Sequence, residues 1–317
     1  MVRFQREISV ALAYAALMGL LALAAPSFYQ GAQLRNLLVS SAPVLIAAIG
    51  MTLVILARQI DISVGSQLSI CSVAAGLLAK AGLPMPLVTV AVMAIGAGLG
   101  AVNGVFVAFL GLPSIVVTLA TMVIYREALL WWREGEFVKN LPDGFQWFGY
   151  GQEIGQTIIL GIAAAAFFLF ACGLRYLAAG RAVYATGSDS EAAFLVGVRP
   201  RRVVFSVLAM MGALTGLAAL LASVQFPQVD PTAGKGLELE VIAAVVVGGV
   251  AISGGRGTLV GVLFGVALLS TIEPALVFFR IEASWGKVFE GAIILLAVAS
   301  DAVSLKRRKH GLESLAA

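Results

Sequence analysis

Long uninterrupted runs of apolar residues dominate this chain. A helix that crosses the hydrocarbon core of a membrane needs about 20 mostly apolar residues. Leu83–Tyr125 is about twice that length, so we expect it to fold back at Gly111-Leu112-Pro113, where proline ends a helix. The predicted spans are Ile8–Ala25, Leu37–Ala57, Ile62–Ala79, two within Leu83–Tyr125, Ile154–Leu174, Val203–Val224, Val241–Gly255, Gly257–Ile272 and Trp285–Asp301. The pattern predicts an all-α, polytopic transmembrane bundle of about ten spans, with residues 1–317 forming one membrane domain.

The composition excludes the main alternatives to a membrane protein. Apolar residues make up 60% of the chain and charged residues only 12%, whereas soluble proteins carry roughly 25% charged residues. One aqueous core of this size cannot bury so much apolar side chain. Disorder is excluded as well, because it requires low hydrophobicity and high charge.

The positive charges predict how the chain is oriented in the membrane. Lysine and arginine favour the cytoplasmic side, and here they concentrate in the loop Leu174–Arg202 and in the tail 304–317. With an even number of spans, both termini are predicted to be cytoplasmic. The expected location is a bacterial inner membrane.

Glycines spaced four residues apart occur in both halves of the chain. Small residues at this spacing lie on one helix face and let helices pack closely in lipid. In each half, an acidic residue (Asp61 or Glu238) opens a short helix before these glycines, and a proline (Pro113 or Pro274) follows them. This order indicates an internal duplication, which many transporters have. The predicted packing glycines are Gly96, Gly100, Gly104, Gly257, Gly261 and Gly265.

Residues for enzymatic chemistry are missing from the sequence. Cys71 and Cys172 lie in apolar runs, and the single histidine, His310, lies in the polar tail. No metal-ligand spacing, phosphate-binding loop or catalytic serine elbow can be found. We therefore expect no enzyme activity and no metal or cofactor bound by this chain.

The cytoplasmic segment 180–202 is too long and too apolar for a simple connection. Ser188-Asp189-Ser190 can cap a short helix that carries Glu191 in its first turn, runs to about Val196 and ends at Gly197. Such a helix either docks on a partner protein or lies on the lipid interface. The apolar surface is predicted to consist of Ala192, Ala193, Leu195 and Val196.

Several polar residues lie at membrane depth. They either line a solute path or form hydrogen bonds between helices. Asp61 and Glu240 lie near predicted helix starts, where a negative charge is also favourable for the helix dipole. Arg58, three residues before Asp61, could pair with it. The candidates for the path are Asp61, Ser66, Gln67, Asn103, Thr118, Thr121 and Glu240.

Motifs along most of the chain resemble those of known transporters. Glu191-Ala192-Ala193, three residues, then Gly197 is similar to the loop by which permease subunits of ATP-binding-cassette (ABC) importers contact their ATPase, although the downstream Ile-x-Leu-Pro portion is absent. The motifs resemble the ribose-type (carbohydrate uptake) ABC permease family over about residues 40–300, and look closest to its rhamnose and autoinducer-2 branch. They are Asp61-Ile-Ser-Val-Gly-Ser66, Asn103-Gly104, Gly180-Arg-x-Val-Tyr-Ala-Thr-Gly187, Pro231-Thr-Ala-Gly-x-Gly236, Glu238-Leu and Ile242-Ala-Ala-Val-Val-Val-Gly-Gly249.

This resemblance implies a function and a set of partners. The chain would be the membrane subunit of an ATP-driven importer of a monosaccharide such as rhamnose. It would pair with a second permease copy or a related permease, with a cytoplasmic tandem ATPase that binds ATP and Mg²⁺, and with a periplasmic sugar-binding protein. The ATPase-coupling residues would be Gly187, Asp189, Glu191, Ala192, Ala193 and Gly197. The external stretch Arg126–Glu153 either receives the binding protein or forms an aromatic belt in the interface. The alternative function is a secondary transporter or channel that works alone.

Overall fold

The computed structural model describes residues 5–282, 285–289, 291–292 and 295, and within them the fold is helical. Short non-α helices cover Pro26–Tyr29, Val105–Phe109 and Gln146–Gly149. The α-helices are α1 (Gln5–Ala24), α2 (Gly31–Leu56), α3 (Val64–Lys80), α4 (Met85–Gly104), α5 (Ser114–Arg133), α6 (Gln152–Tyr176), α7 (Ala178–Ser188), α8 (Ser190–Leu195), α9 (Pro200–Ser223), α10 (Leu237–Val247) and α11 (Leu259–Phe278).

The predicted polytopic helical bundle is confirmed. Seven helices in the described part of the chain are long and apolar enough to cross a membrane: α1, α2, α4, α5, α6, α9 and α11. Helix α3 is apolar but has 17 residues. Most of the predicted last span, Trp285–Asp301, and the whole tail 304–317 lie outside the described residues.

The long apolar run that begins at Leu83 folds back where the sequence predicts. Helix α4 ends at Gly104 and passes into the π-helical turn Val105–Phe109. Gly111 then adopts a φ of +74°, which favours glycine, and Pro113 immediately precedes α5. The two helices therefore run in opposite directions, as expected.

The predicted span Val241–Gly255 is wrong. Its helix, α10, has 11 residues, which is about 16 Å at the usual rise per residue and too short to cross the bilayer. The chain leaves the helix at Gly248 and stays non-helical until α11 begins. Sequence alone overestimates the helix because the apolar run continues into this loop.

The predicted packing glycines of α4 contact α9. A Cβ on Gly96 would overlap the Gly212 carbonyl, and a Cβ on Gly212 would overlap the Gly96 carbonyl. Gly100 contacts the Leu208 backbone in the same way, and Gly104 packs on Phe205. The two backbones therefore touch directly, which larger residues would prevent.

The second glycine set only partly matches its prediction. Gly261 and Gly265 lie in α11 and contact the Gly248 and Ala244 carbonyls of α10. Gly257 lies outside the helix, in the preceding loop, with a φ of +145°. It is therefore a turn residue and not part of a helix face. Pro274 also differs from its supposed counterpart Pro113, because it lies inside α11.

Helices α3 and α10 begin beside one another inside the bundle. The Gly234 amide donates to Ser69 Oγ at 3.1 Å, and a Cβ on Gly65 would overlap the Gly234 carbonyl. The few residues before Gly234 come from one end of the bundle, where Val229 pairs with Val138 and packs beside Gly76. Ser69 and Gly76 are seven residues apart in α3, about 10 Å along its axis. The segment Asp230–Gly236 is therefore re-entrant: it descends into the bundle, and α10 starts there.

The contact between α4 and α9 can be tested with two glycines of the same helix. We expect Gly96→Leu to destabilise the protein by about 1–3 kcal/mol or more, because the added side chain collides with backbone. Gly98→Leu is the control, since a Cβ at Gly98 meets nothing within 4 Å. The measurement is thermal unfolding of the protein in detergent, and equal effects of the two changes would contradict the packing.

Candidate functional site

A short capped helix projects from the end of the bundle that is predicted to be cytoplasmic. The Asp189 carboxylate accepts hydrogen bonds from the backbone amides of Glu191 at 2.9 Å and Ala192 at 3.0 Å, which fixes the start of α8. Gly197 ends the helix with a φ of +88°, and the Val198 amide donates to the Ala193 carbonyl at 3.0 Å. The structure assigns the cap to the middle residue of the predicted Ser188-Asp189-Ser190 and places the end of the helix at the predicted Gly197.

The apolar surface of α8 differs from its prediction at two positions. Ala193 is only 3% exposed and faces the rest of the protein. Phe194, which the prediction leaves out, is 66% exposed and lies next to Leu195 (83%) and Val196 (77%). We call Phe194, Leu195 and Val196 the docking turn. Three consecutive exposed apolar side chains at the end of α8 fit both predicted contacts, a partner protein or the lipid interface.

The segment that carries α8 is fixed to the bundle through Gly187. A Cβ at Gly187 would overlap the Leu56 carbonyl at the end of α2 and crowd the Gly255 amide. That amide itself donates to the Leu56 carbonyl at 2.9 Å. The Tyr184 hydroxyl adds a bond of 2.8 Å to the Gly257 carbonyl. A displacement of α8 would therefore be transmitted to the end of α2 and to the loop before α11.

Five of the seven predicted path residues meet in one buried polar cluster. We call Asp61, Ser63, Ser66, Gln67, Asn103 and Thr118 the polar cluster; all six are at most 1% exposed. The Asp61 carboxylate accepts from the Ser63 amide (2.9 Å), from Ser63 Oγ (2.6 Å) and from Gln67 Nε2 (3.1 Å). Arg58 is exposed, so the expected ion pair with Asp61 is wrong, and neutral donors hold the carboxylate instead.

Ser63 is the centre of the polar cluster, and the sequence analysis missed it. Its hydroxyl donates to Asp61 and accepts from Gln67 Nε2 at 2.7 Å and from Asn103 Nδ2 at 2.8 Å. It thereby joins the start of α3 to α4. The Asp-x-Ser spacing, in which a carboxylate accepts from the amide two residues later, is the signal that could have found it.

Hydrogen bonds from Thr118 and its neighbours connect α5 to the polar cluster. Thr118 Oγ1 lies 3.3 Å from the Ile60 carbonyl, and the Ile60 amide donates to Ser114 Oγ at 3.2 Å. Thr121, also buried, bonds within its own helix to the Thr118 carbonyl. Full burial and the hydrogen bonds among its donors favour the helix-packing interpretation of this cluster. Two acceptors, Gln67 Oε1 and Asn103 Oδ1, are buried without a partner, which is the one feature that fits the solute-path interpretation.

Glu240 lies apart from the polar cluster. It lines a cavity of about 240 Å³ between α2, α10 and α11, together with Ser40, Ser270, Glu273 and Lys287. Lys287 Nζ is 3.5 Å from Glu273 Oε1. The structure therefore divides the predicted path residues between two places.

Comparison with known proteins decides the class of this architecture. A family model described as a branched-chain amino acid transport system / permease component matches residues 33–298. The chain belongs to this permease family. The permease is thus a multi-pass protein of the inner membrane with a transport role and not a catalytic one.

Individual relatives are similar over most of their length. The autoinducer 2 import system permease protein LsrC of Salmonella typhimurium (strain LT2) is 36% identical over 276 residues, covering 85% of the permease and 78% of the relative. LsrC of Enterobacter sp. (strain 638) is 35% identical, with 92% and 84% covered. LsrC of Escherichia coli (strain K12 / DH10B) is 34% identical, with 86% and 80% covered. No solved structure matches the permease significantly.

The central role of Ser63 leads to a stability prediction. Ser63→Ala removes one hydroxyl but leaves several buried groups without a partner, so we expect the free energy of unfolding to fall by about 1–3 kcal/mol. Ser72→Ala is the matched control, because Ser72 is equally buried in α3 but makes only a single 3.5 Å contact, with the Ala219 carbonyl. Thermal unfolding of the two variants checks this. If Ser72→Ala costs as much as Ser63→Ala, the cluster is not held through Ser63.

Proposed function

We propose that the permease is the membrane subunit of an ATP-driven importer of a small polyhydroxylated solute, autoinducer 2 or a monosaccharide. The solute is delivered by a periplasmic binding protein, and a cytoplasmic tandem ATPase supplies the energy. Two permease chains, identical or related, form the translocating unit. The observation that carries the proposal is the docking turn on the capped helix α8.

The docking turn supports coupling to a separate motor. The chain has no phosphate-binding loop of its own, and the relatives are named as permease proteins of an import system. Exposed basic residues surround α8 and keep this face on the cytoplasmic side: Arg181, Arg199, Arg201 and Arg202. A soluble ATPase that buries the docking turn would hold the permease by its most rigid cytoplasmic element.

The coupling of ATP binding to transport follows from how the segment that carries α8 is fixed to the bundle. Closure of the ATPase upon ATP binding pushes α8, and the close backbone contact at Gly187 passes this movement to α2 and to the loop before α11. Tightly packed helices shift as units because their interfaces do not deform continuously. The bundle thereby changes from one access state to the other.

The solute assignment rests on the relatives. The relatives named above are autoinducer 2 permeases, so autoinducer 2 is the first solute to test and rhamnose the second. A neutral hydroxylated solute requires hydrogen-bonding groups along a wet path and no fixed counter-charge.

Reconstitution tests this function directly. Vesicles containing the permease, its partner permease if there is one, the ATPase and the binding protein are assayed for uptake of labelled autoinducer 2, rhamnose and ribose. We expect uptake of one of these solutes that requires ATP and the ATPase. Uphill uptake by the permease alone would instead identify a secondary transporter.

The docking turn yields a specific prediction. Leu195→Asp places a charge where an apolar contact forms, so we expect at least about a tenfold loss of both ATPase co-purification and uptake. Phe226→Asp is the control, because Phe226 is also exposed (59%) but lies in the loop after α9 at the opposite end. Normal ATPase binding by Leu195→Asp would rule out the docking turn.

A further inference from the structure

An ion pair joins α5 to the first turn of α10. Arg126 Nη2 lies 3.3 Å from Glu238 Oε1. The two side chains are 27% and 12% exposed, so neither is free in water. Arg126 belongs to the first half of the chain and Glu238 to the second, and the pair therefore bridges the two halves.

The pair lies within the bundle and not at its surface. A Cβ on Gly65 would overlap Glu238 Oε2, so the carboxylate rests against the first turn of α3. The re-entrant segment Asp230–Gly236 brings it there, about 16 Å along α3 from the turn that Val229 contacts. A pair of charges at such a depth is costly in lipid and is usually functional.

An exposed cation lies close to the pair along the chain. Lys235 lies in the same re-entrant segment, next to Gly234, and its side chain is exposed. A lysine cannot be left in hydrocarbon at this depth without a large cost. This side of the re-entrant segment therefore faces water inside the protein assembly.

One oxygen of the pair has no partner. Glu238 Oε2 is buried and accepts no hydrogen bond. A buried carboxylate oxygen without a donor is costly, and its chemistry suits the hydroxyl group of a solute. The Arg126 guanidinium beside it has further N–H groups that can donate to a neighbouring hydroxyl.

We propose that Arg126 and Glu238 form a solute-contacting site on the aqueous path, in which Glu238 Oε2 accepts from, and Arg126 donates to, adjacent hydroxyls of a polyhydroxylated solute. The inference rests on the proposed function. In the present conformation Gly65 covers the free oxygen, so the solute reaches it when α3 and α10 separate. The polar cluster around Ser63 holds the start of α3 in place beside this site.

Uptake by reconstituted complexes tests the site. We expect Glu238→Gln to raise the solute concentration for half-maximal uptake by about tenfold or more, since a charged acceptor is replaced by a neutral one. Glu136→Gln is the control, an exposed acidic residue of the external loop. An unchanged half-maximal concentration for Glu238→Gln would overturn the proposal.

A charge exchange separates solute contact from a merely structural ion pair. The double variant Arg126→Glu/Glu238→Arg keeps opposite charges at the two positions. If the pair only holds helices together, the exchange restores both thermal stability and uptake relative to the single variants, and the proposal is wrong. We expect the charge exchange to restore thermal stability while uptake stays low, because the guanidinium donor and the carboxylate acceptor have changed places and no longer match the hydroxyls of the solute.

A thiol measurement that needs neither ATP nor transport tests the aqueous path separately. In a Cys172→Ser background, Lys235→Cys should react with a charged, membrane-impermeant thiol reagent, and the solute should slow this reaction. Phe226→Cys in the outer loop should react regardless of solute. A Lys235→Cys that stays unreactive in a complex with ATP-driven uptake would overturn the site but not the proposed function. ATP-independent uptake would overturn the proposed function.

Discussion

Inside a bilayer every backbone N–H and C=O group must find a partner within the protein, and this constraint shapes the whole molecule. Helix α10 covers only part of the membrane thickness, so the segments before and after it are non-helical, and their backbone must be buried against other parts of the protein. Glycines make this possible because they allow direct contact between two backbones. Gly234 lies on Gly65 of α3 on one side, and Gly255 lies on Gly187 and the end of α2 on the other. Larger residues at these positions would separate the backbones.

The same constraint places the charged residues. Helices α3 and α10 begin beside one another, so the positive ends of two helix dipoles meet. Each start carries an acidic residue, Asp61 for α3 and Glu238 for α10. Asp61 is satisfied by hydroxyl and amide donors and serves as scaffold. Glu238 is only half satisfied and faces Arg126. Two similar helix starts thus have different surroundings: Asp61 is enclosed by neutral donors, and Glu238 pairs with a guanidinium.

Much of this could be predicted from the sequence because the underlying signals are local. Apolar runs of about 20 residues identify long spans, Gly111 and Pro113 mark a reversal, and Asp189 and Gly197 mark the two ends of α8. The rest depends on where the chain goes in three dimensions. The run that begins at Val241 is apolar throughout and therefore has the pattern of a complete span. Its sequence does not indicate that the chain has already entered the membrane before Gly236. Gly257 has the spacing of a packing residue but lies before its helix.

Burial and pairing are the features that spacing cannot reveal. The residues Asp61, Gln67 and Asn103 have the polarity of a solute path, yet their amide donors and the Asp61 carboxylate are paired within the polar cluster around Ser63. The amide oxygens of Gln67 and Asn103 are buried and accept no hydrogen bond. Arg126 and Glu238 are 112 positions apart and share no motif. Only the re-entrant course of Asp230–Gly236 brings them together.

A pair of distances measured by spin labels tests the re-entrant segment most directly. With Cys172 replaced by serine, nitroxides are attached at Lys80 and Ala233, and in a second sample at Lys80 and Lys139. Lys80 Nζ lies 3.3 Å from the Lys139 carbonyl, so the second distance should be short. The Gly234 amide bonds to Ser69, 11 residues before Lys80 in α3, so the first distance should be longer by about 10–16 Å. If both distances are equally short, Asp230–Gly236 stays at the outer end of the bundle, and the half-length helix and the site it carries are wrong.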